Sequence, residues 1–166
     1  IRNGKKVVSS FFYKHNKIMY DKKNVIMLKK FIDKKINYIS TEKKYWRPIP
    51  LNKNKFSSFV NKGQFHMICC YWRDLNKKIR KSLKKVKSKK KFSFKFENIK
   101  DKNQLRKLLQ FVGVRKNRVS QVIDKFNEPI NVKIPKNFKL TSKQEKIFKK
   151  VCKKKMIING YKLGDD

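Results

Sequence analysis

Alanine is missing altogether from these 166 residues, while glycine occurs 5 times, proline 4 times and arginine 7 times against 41 lysines. Residues with G/C-rich codons are depleted and those with A/T-rich codons (Lys, Ile, Asn, Phe) are inflated. Mutational bias in an AT-rich genome leaves that imprint on any fold. The scarcity of arginine carries a second exclusion. Its planar fork is the better group for bidentate recognition of phosphates and base edges, so a surface this poor in arginine argues against selection for that work. Histidine occurs only at His15 and His66, and cysteine at Cys69, Cys70 and Cys152. These five residues have no metal-ligand spacing, so no zinc set can be assembled and no metal site is expected. An odd number of cysteines reads as reduced, buried thiols in an intracellular, cytoplasmic setting. Also lacking are a signal peptide, an internal repeat and any apolar run long enough to cross a bilayer, so the visible chain is expected to carry no membrane segment.

Acidic residues are few as well, 11 against 48 Lys and Arg, which leaves a net charge of +37 and a pI near 10.4. A charge of this size first suggests a nucleic-acid partner, because lysines neutralise phosphates and release counterions. Codon bias competes with that reading and makes most of these lysines a solvated surface. The length suits one domain with one core. Because the chain opens on Ile in what reads as the middle of a strand, a single partial domain is expected, the C-terminal portion of something longer.

Residues 7–19 read as a helix covered by Phe11, Phe12 and Tyr13, and 25–36 as a second, apolar at Val25, Ile26, Leu28, Phe31 and Ile32. The prolines of Tyr45-Trp46-Arg47-Pro48-Ile49-Pro50 place that stretch in a surface loop. Residues 64–83 form the clearest helix: Phe65, Ile68, Trp72, Leu75, Ile79 and Leu83 share one stripe that should be core. A lysine run over 84–91 leads into Phe92-Ser93-Phe94-Lys95-Phe96, whose strict alternation predicts a strand. Asp101 with Gln104 predicts a capped helix bearing Leu105, Leu108, Leu109 and Val112 and stopped by Gly113. Asn117 is the predicted cap of a helix with Val119, Val122, Ile123 and Phe126. Pro129 and Pro135 then break the periodicity. Thr141 with Gln144 opens a last helix that carries Ile147, Phe148 and Val151 and closes near Gly160-Tyr161.

The opening Ile1-Arg2-Asn3-Gly4-Lys5-Lys6-Val7-Val8-Ser9-Ser10-Phe11-Phe12 reads as the tail of a buried strand, a glycine-bearing turn and the first turns of a helix. That arrangement puts Arg2 and the early helix N–H groups on one concave corner, which attracts an anion. The segment resembles the 3′-phosphate-binding segment of sulfotransferases that use 3′-phosphoadenosine-5′-phosphosulfate (PAPS). There an Arg closes a strand, and a Ser eight residues on, followed by aromatics, sits on the next helix. The turn departs from the family, which often has Pro-Arg-Asp where Gly4-Lys5-Lys6 stand. Later landmarks come in the family's order. Phe96-Glu97-Asn98-Ile99 and Phe111-Val112-Gly113 resemble its Tyr-Glu-Asp-Leu and Phe-Leu-Gly, and members often end in a helix followed by Gly-Tyr.

This resemblance covers residues 1–161 and implies an α/β fold, a parallel sheet flanked by helices of the P-loop-kinase-like sulfotransferase kind, with its N-terminal part missing. Parallel strands should end near Arg2 and run through 92–96. It implies a sulfotransferase moving a sulfuryl group from PAPS to a hydroxyl or amine of an acceptor the sequence does not name. Arg2 and Ser10 would bind the donor's 3′-phosphate and Phe96 would lie against its adenine without the hydroxyl of the family's Tyr. Glu97 reads as a structural carboxylate at the strand-to-helix turn. The family's phosphate-cradling loop and catalytic groups lie upstream of the matched segment, so the catalytic residues are expected before Ile1 and these residues alone are expected to be inactive. Nucleic acid enters only on the alternative reading, a Lys-rich RNA-binding or organellar ribosomal protein without an active site.

Overall fold

In a computed structural model that describes residues 2–15, 19–33, 56–125 and 139–164, the apolar steps of three and four become helices throughout. In chain order these are α1 (Gly4–His15), α2 (Lys22–Ile32), α3 (Phe56–Val60), α4 (Gln64–Lys84), α5 (Lys102–Phe111), α6 (Val119–Lys125) and α7 (Ser142–Ile158). Short 3-10 turns at Ser88–Lys90, Phe96–Lys100 and Lys116–Arg118 join them. Local chemistry sets several ends as expected. Asp101 accepts from the N–H groups of Asn103 and Gln104 to open α5. Thr141 and Gln144 form a reciprocal capping box on α7. Gly113 and Gly160, at φ 86° and 76°, take the left-handed conformation that ends α5 and α7.

The expected α/β architecture is corrected: among the described residues there is no strand and no sheet, and therefore no P-loop-kinase-like core. A strand is held by the backbone hydrogen bonds of a neighbour, and alternation in one segment does not provide that neighbour. Lys91 and Lys95 do have extended backbone (φ −123°, ψ 137° and φ −82°, ψ 126°). Residues 91–95 pair with no other strand, and the chain winds into a 3-10 turn at Phe96. At the opening, α1 begins at Gly4, three residues before the expected Val7, so the Asn3-Gly4-Lys5-Lys6 turn is helix cap and first turn. Asn117 lies inside the 3-10 turn before α6 and is not its cap. The stretch around Trp46 and the breaks at Pro129 and Pro135 lie outside the described residues.

The core forms where α4 and α7 lie side by side. Cys152 Sγ reaches the carbonyl of Cys69 at 3.6 Å, and Asn159 Nδ2 donates to Asn76 Oδ1 at 3.0 Å. Both pairs are 83 residues apart, so the two helices run parallel and in register. Ile68, Cys69, Trp72, Phe148, Cys152 and Met156 fill their interface. Helix α1 crosses the pair, with Phe12 edge-on to Phe65 at 5.2 Å between ring centroids. A Cβ on Gly4 would stand 2.6 Å from the Trp72 ring and 2.9 Å from Met156 Sδ, so only glycine lets α1 start this close. The stripe expected to be core is divided: Phe65, Ile68 and Trp72 are buried, whereas Ile79 and Leu83 are 47% and 43% exposed. Helices α5 and α6 close a second, small cluster of Leu105, Leu109, Val119 and Ile123.

Candidate anion-binding corner

Three segments far apart in sequence meet at the start of α1. Asn3 is buried and caps the helix: its Oδ1 accepts from the N–H of Lys5 at 2.8 Å and of Lys6 at 3.3 Å. The Gly4 N–H points at Met156 Sδ at 3.2 Å. Glu97 closes the corner. One carboxylate oxygen accepts from the Asn3 N–H at 2.8 Å, and the other from the Tyr161 hydroxyl at 2.6 Å. Burial pushes the Glu97 carboxyl up, but the hydrogen bonds from Tyr161 and Asn3, with Lys6 nearby, outweigh it and hold the group below the usual carboxylate range. Burial and the same carboxylate push the Tyr161 hydroxyl well above its ordinary value. A carboxylate at a helix N-terminus also meets the positive end of the helix dipole.

Of the residues expected to hold the donor, Arg2 and Phe96 are brought together. The Arg2 guanidinium carbon sits 5.1 Å from the centroid of the Phe96 ring, within cation–π range, and both side chains are exposed. Ser10 lies on α1, half-buried, seven residues and about two turns beyond Asn3 on the same side of the helix. The expected use of the early helix N–H groups is corrected, because Asn3, Met156 and Glu97 already occupy them. Arg2 and Lys6 therefore remain beside the cap for an incoming anion, while the Ser10 hydroxyl stands about 10 Å farther along the helix axis. Sequence reasoning placed Glu97 in a structural role but missed its partner Tyr161. The only signal was the Gly-Tyr after α7, which carries no distance information. Nearby, Lys95 Nζ donates to the Gly160 carbonyl at 2.6 Å and lies 4.9 Å from the Tyr161 ring, fixing the extended segment against the end of α7.

The other reactive groups among the described residues do not assemble into a site. Among the described residues, no group of three His, Cys, Asp or Glu could hold a metal ion. Cys70 Sγ lies 3.7 Å from His66 Nδ1, the spacing of a nucleophile and base. Burial pushes that thiol up to about 11, so it stays protonated at neutral pH. Burial, with Lys62, Arg73 and Lys150 around it, lowers the His66 pKa. A cleft of about 400 Å³ lined by Tyr20, Asp21, Val25, Val60, Gln64 and Met67 shares no residue with the corner. Among the described residues, no helix is long and apolar enough to cross a membrane. Comparison with protein-family models, curated proteins and solved structures finds no match to this chain.

Proposed function

We propose that this chain is a sulfotransferase chain that holds the 3′-phosphate of PAPS at the corner between Arg2, Ser10 and Phe96. The observation that carries the reading is the meeting of its three separate motifs. Arg2 lies over Phe96, and Glu97 joins Asn3 to Tyr161, although 94 and 64 residues separate these pairs in sequence. The resemblance requires the opening segment and the Phe96-Glu97 segment to face one ligand, and their meeting supports that reading. Arg2 supplies charge-assisted hydrogen bonds to the phosphate and Ser10 a neutral one. Phe96 offers the adenine a face to stack on. Sulfuryl transfer depends on in-line positioning and charge stabilisation, so the donor's anchor contributes directly to the rate. No residue of this chain is assigned as catalytic base, and the acceptor is a hydroxyl or amine compound.

The test is calorimetric titration of the intact protein with adenosine 3′,5′-bisphosphate. A charged hydrogen bond is worth about 1.5–3 kcal/mol and a neutral one about 0.5–1.5. Arg2→Ala should therefore weaken binding by roughly 10- to 150-fold and Ser10→Ala by roughly 2- to 13-fold. Both losses should shrink for adenosine 5′-monophosphate, which lacks the 3′-phosphate. Equal losses for the two nucleotides, or none, would overturn the site.

A further inference from the structure

Residues 77–91 hold 10 Lys or Arg in 15 positions and no Asp or Glu, against 48 in 166 for the whole chain. Codon bias scatters lysine and does not explain this concentration. Every one of the 15 is exposed, because α7 ends at Ile158 while α4 runs on past it. Arg80 Nη1 donates to the Ile158 carbonyl at 3.0 Å, which marks where the partner helix stops. At and beyond the end of α7, Lys77, Arg80, Lys81, Lys84 and Lys85 follow one another at steps of one, three and four. On a helix these steps gather them into one broad cationic side, opposite Ile79 and Leu83. The second helix adds to it. Partial burial and the nearby charges of Arg80, Lys77 and Lys154 lower the pKa of Lys155 on α7, so cations from two helices crowd one surface. Among the described residues, no acidic group takes part in that crowding.

We infer that the projecting end of α4, with residues 87–91 and the neighbouring end of α7, binds the phosphate backbone of nucleic acid without reading its sequence. Like charges held together repel, and a polyanion relieves that repulsion. Lysine, a point charge with flexible reach, suits backbone contacts, whereas base readout would call for arginine. An anionic membrane is the weaker candidate. The apolar stripe of α4 is buried as far as Trp72, which leaves only the short stretch at Ile79 and Leu83 exposed, whereas an interfacial helix lays a long apolar face into the membrane. This surface is separate from the Arg2 corner and stands whether or not the sulfotransferase reading does.

The experiment uses fluorescence anisotropy of a labelled 20-nucleotide single-stranded RNA with the intact protein between 50 and 400 mM KCl. Variant one is K77Q/K81Q/K84Q/K85Q; variant two, outside any α-helix, is K87Q/K89Q/K90Q/K91Q. The control, K22Q/K29Q/K107Q/K143Q, removes the same charge from exposed positions elsewhere. Each backbone contact removed should lower the slope of log K against log salt by about 0.7 for a single strand. The first two variants should lose roughly 2 to 3 in slope and at least about tenfold in affinity at 100 mM, and the control should lose little. Equal loss in the control would make the binding diffuse charge attraction and overturn the site. Binding to phosphatidylserine vesicles without binding to RNA would overturn the choice of partner.

Discussion

The two halves of α4 carry the same apolar period and occupy different surroundings. In the first half, Phe65, Ile68 and Trp72 are buried against α1 and α7. In the second, Ile79 and Leu83 continue the stripe but stand 47% and 43% exposed, because α7 stops beside Arg80. Helical periodicity reports which residues share a face. Whether that face is core depends on how far the partner helix runs, and that length is set elsewhere in the chain. The largest expected effect follows from this contrast. Trp72→Ala or Phe148→Ala should cost about 3–5 kcal/mol, whereas Ile79→Ala, on the same stripe as Trp72, should cost under about 1 kcal/mol. Urea unfolding measures both, and a cost at Ile79 equal to that at Trp72 would mean that the projecting half has a partner.

Gly4 sharpens the buried side of the comparison. Alanine at an exposed helix position normally stabilises by up to about 1 kcal/mol relative to glycine. Here its Cβ would meet the Trp72 ring at 2.6 Å and Met156 Sδ at 2.9 Å. Gly4→Ala should instead cost about 1–3 kcal/mol, read as a lower Tm. A gain would show that α1 can shift away from the α4–α7 pair.

Glu97 tests the corner at the end of that pair. Its folded pKa lies below the ordinary 4.5, so its contribution is present above pH 4.5 and is lost as pH falls through the lower folded value. Glu97→Gln should cost on the order of 1 kcal/mol at pH 7, a modest figure because the residue is well exposed. The difference from the parent should close in acid, as guanidinium chloride unfolding at pH 7 and pH 3 would show. A gap that stayed constant with pH would assign the effect to shape rather than charge.

Much of the local structure was legible in the sequence. The α4 stripe gave residues 64–83 against the observed Gln64–Lys84, and Asp101, Thr141, Gly113 and Gly160 marked ends where they belong. Such signals act within one turn of the chain. The error at residues 92–96 was of another kind. Phe92, Phe94 and Phe96 alternate, but Phe92 stacks on Phe111 of α5 at 5.2 Å and Phe96 lies under Arg2 ahead of α1, so these rings pack on other segments and form no sheet face. Strand formation needs a second segment, and period two cannot announce its absence. The corner was half legible. Motifs in order along the chain point to Arg2 and Phe96, whereas the Glu97–Tyr161 link rests on the parallel packing of α4 and α7, which places Tyr161 beside the turn before α5.

The smallest stability effect should come from the lysines beyond α4. Lys87, Lys89, Lys90 and Lys91 are exposed and sit in or beside a three-residue 3-10 turn with no buried residue. Exposed charges contribute little individually, and like charges crowded together oppose the compact state. Changing all four to Gln should therefore leave the unfolding free energy within about 0.5 kcal/mol of the parent, or raise it slightly. For a chain of this size that is a Tm shift of no more than about 2 °C. Nucleotide binding at the Arg2 corner should be unchanged, since the contacts of Arg2 and Glu97 run to Phe96, Asn3 and Tyr161. A fall of several degrees would show that the lysine run holds structure, and the contrast between the buried and projecting halves of α4 would then have to be redrawn.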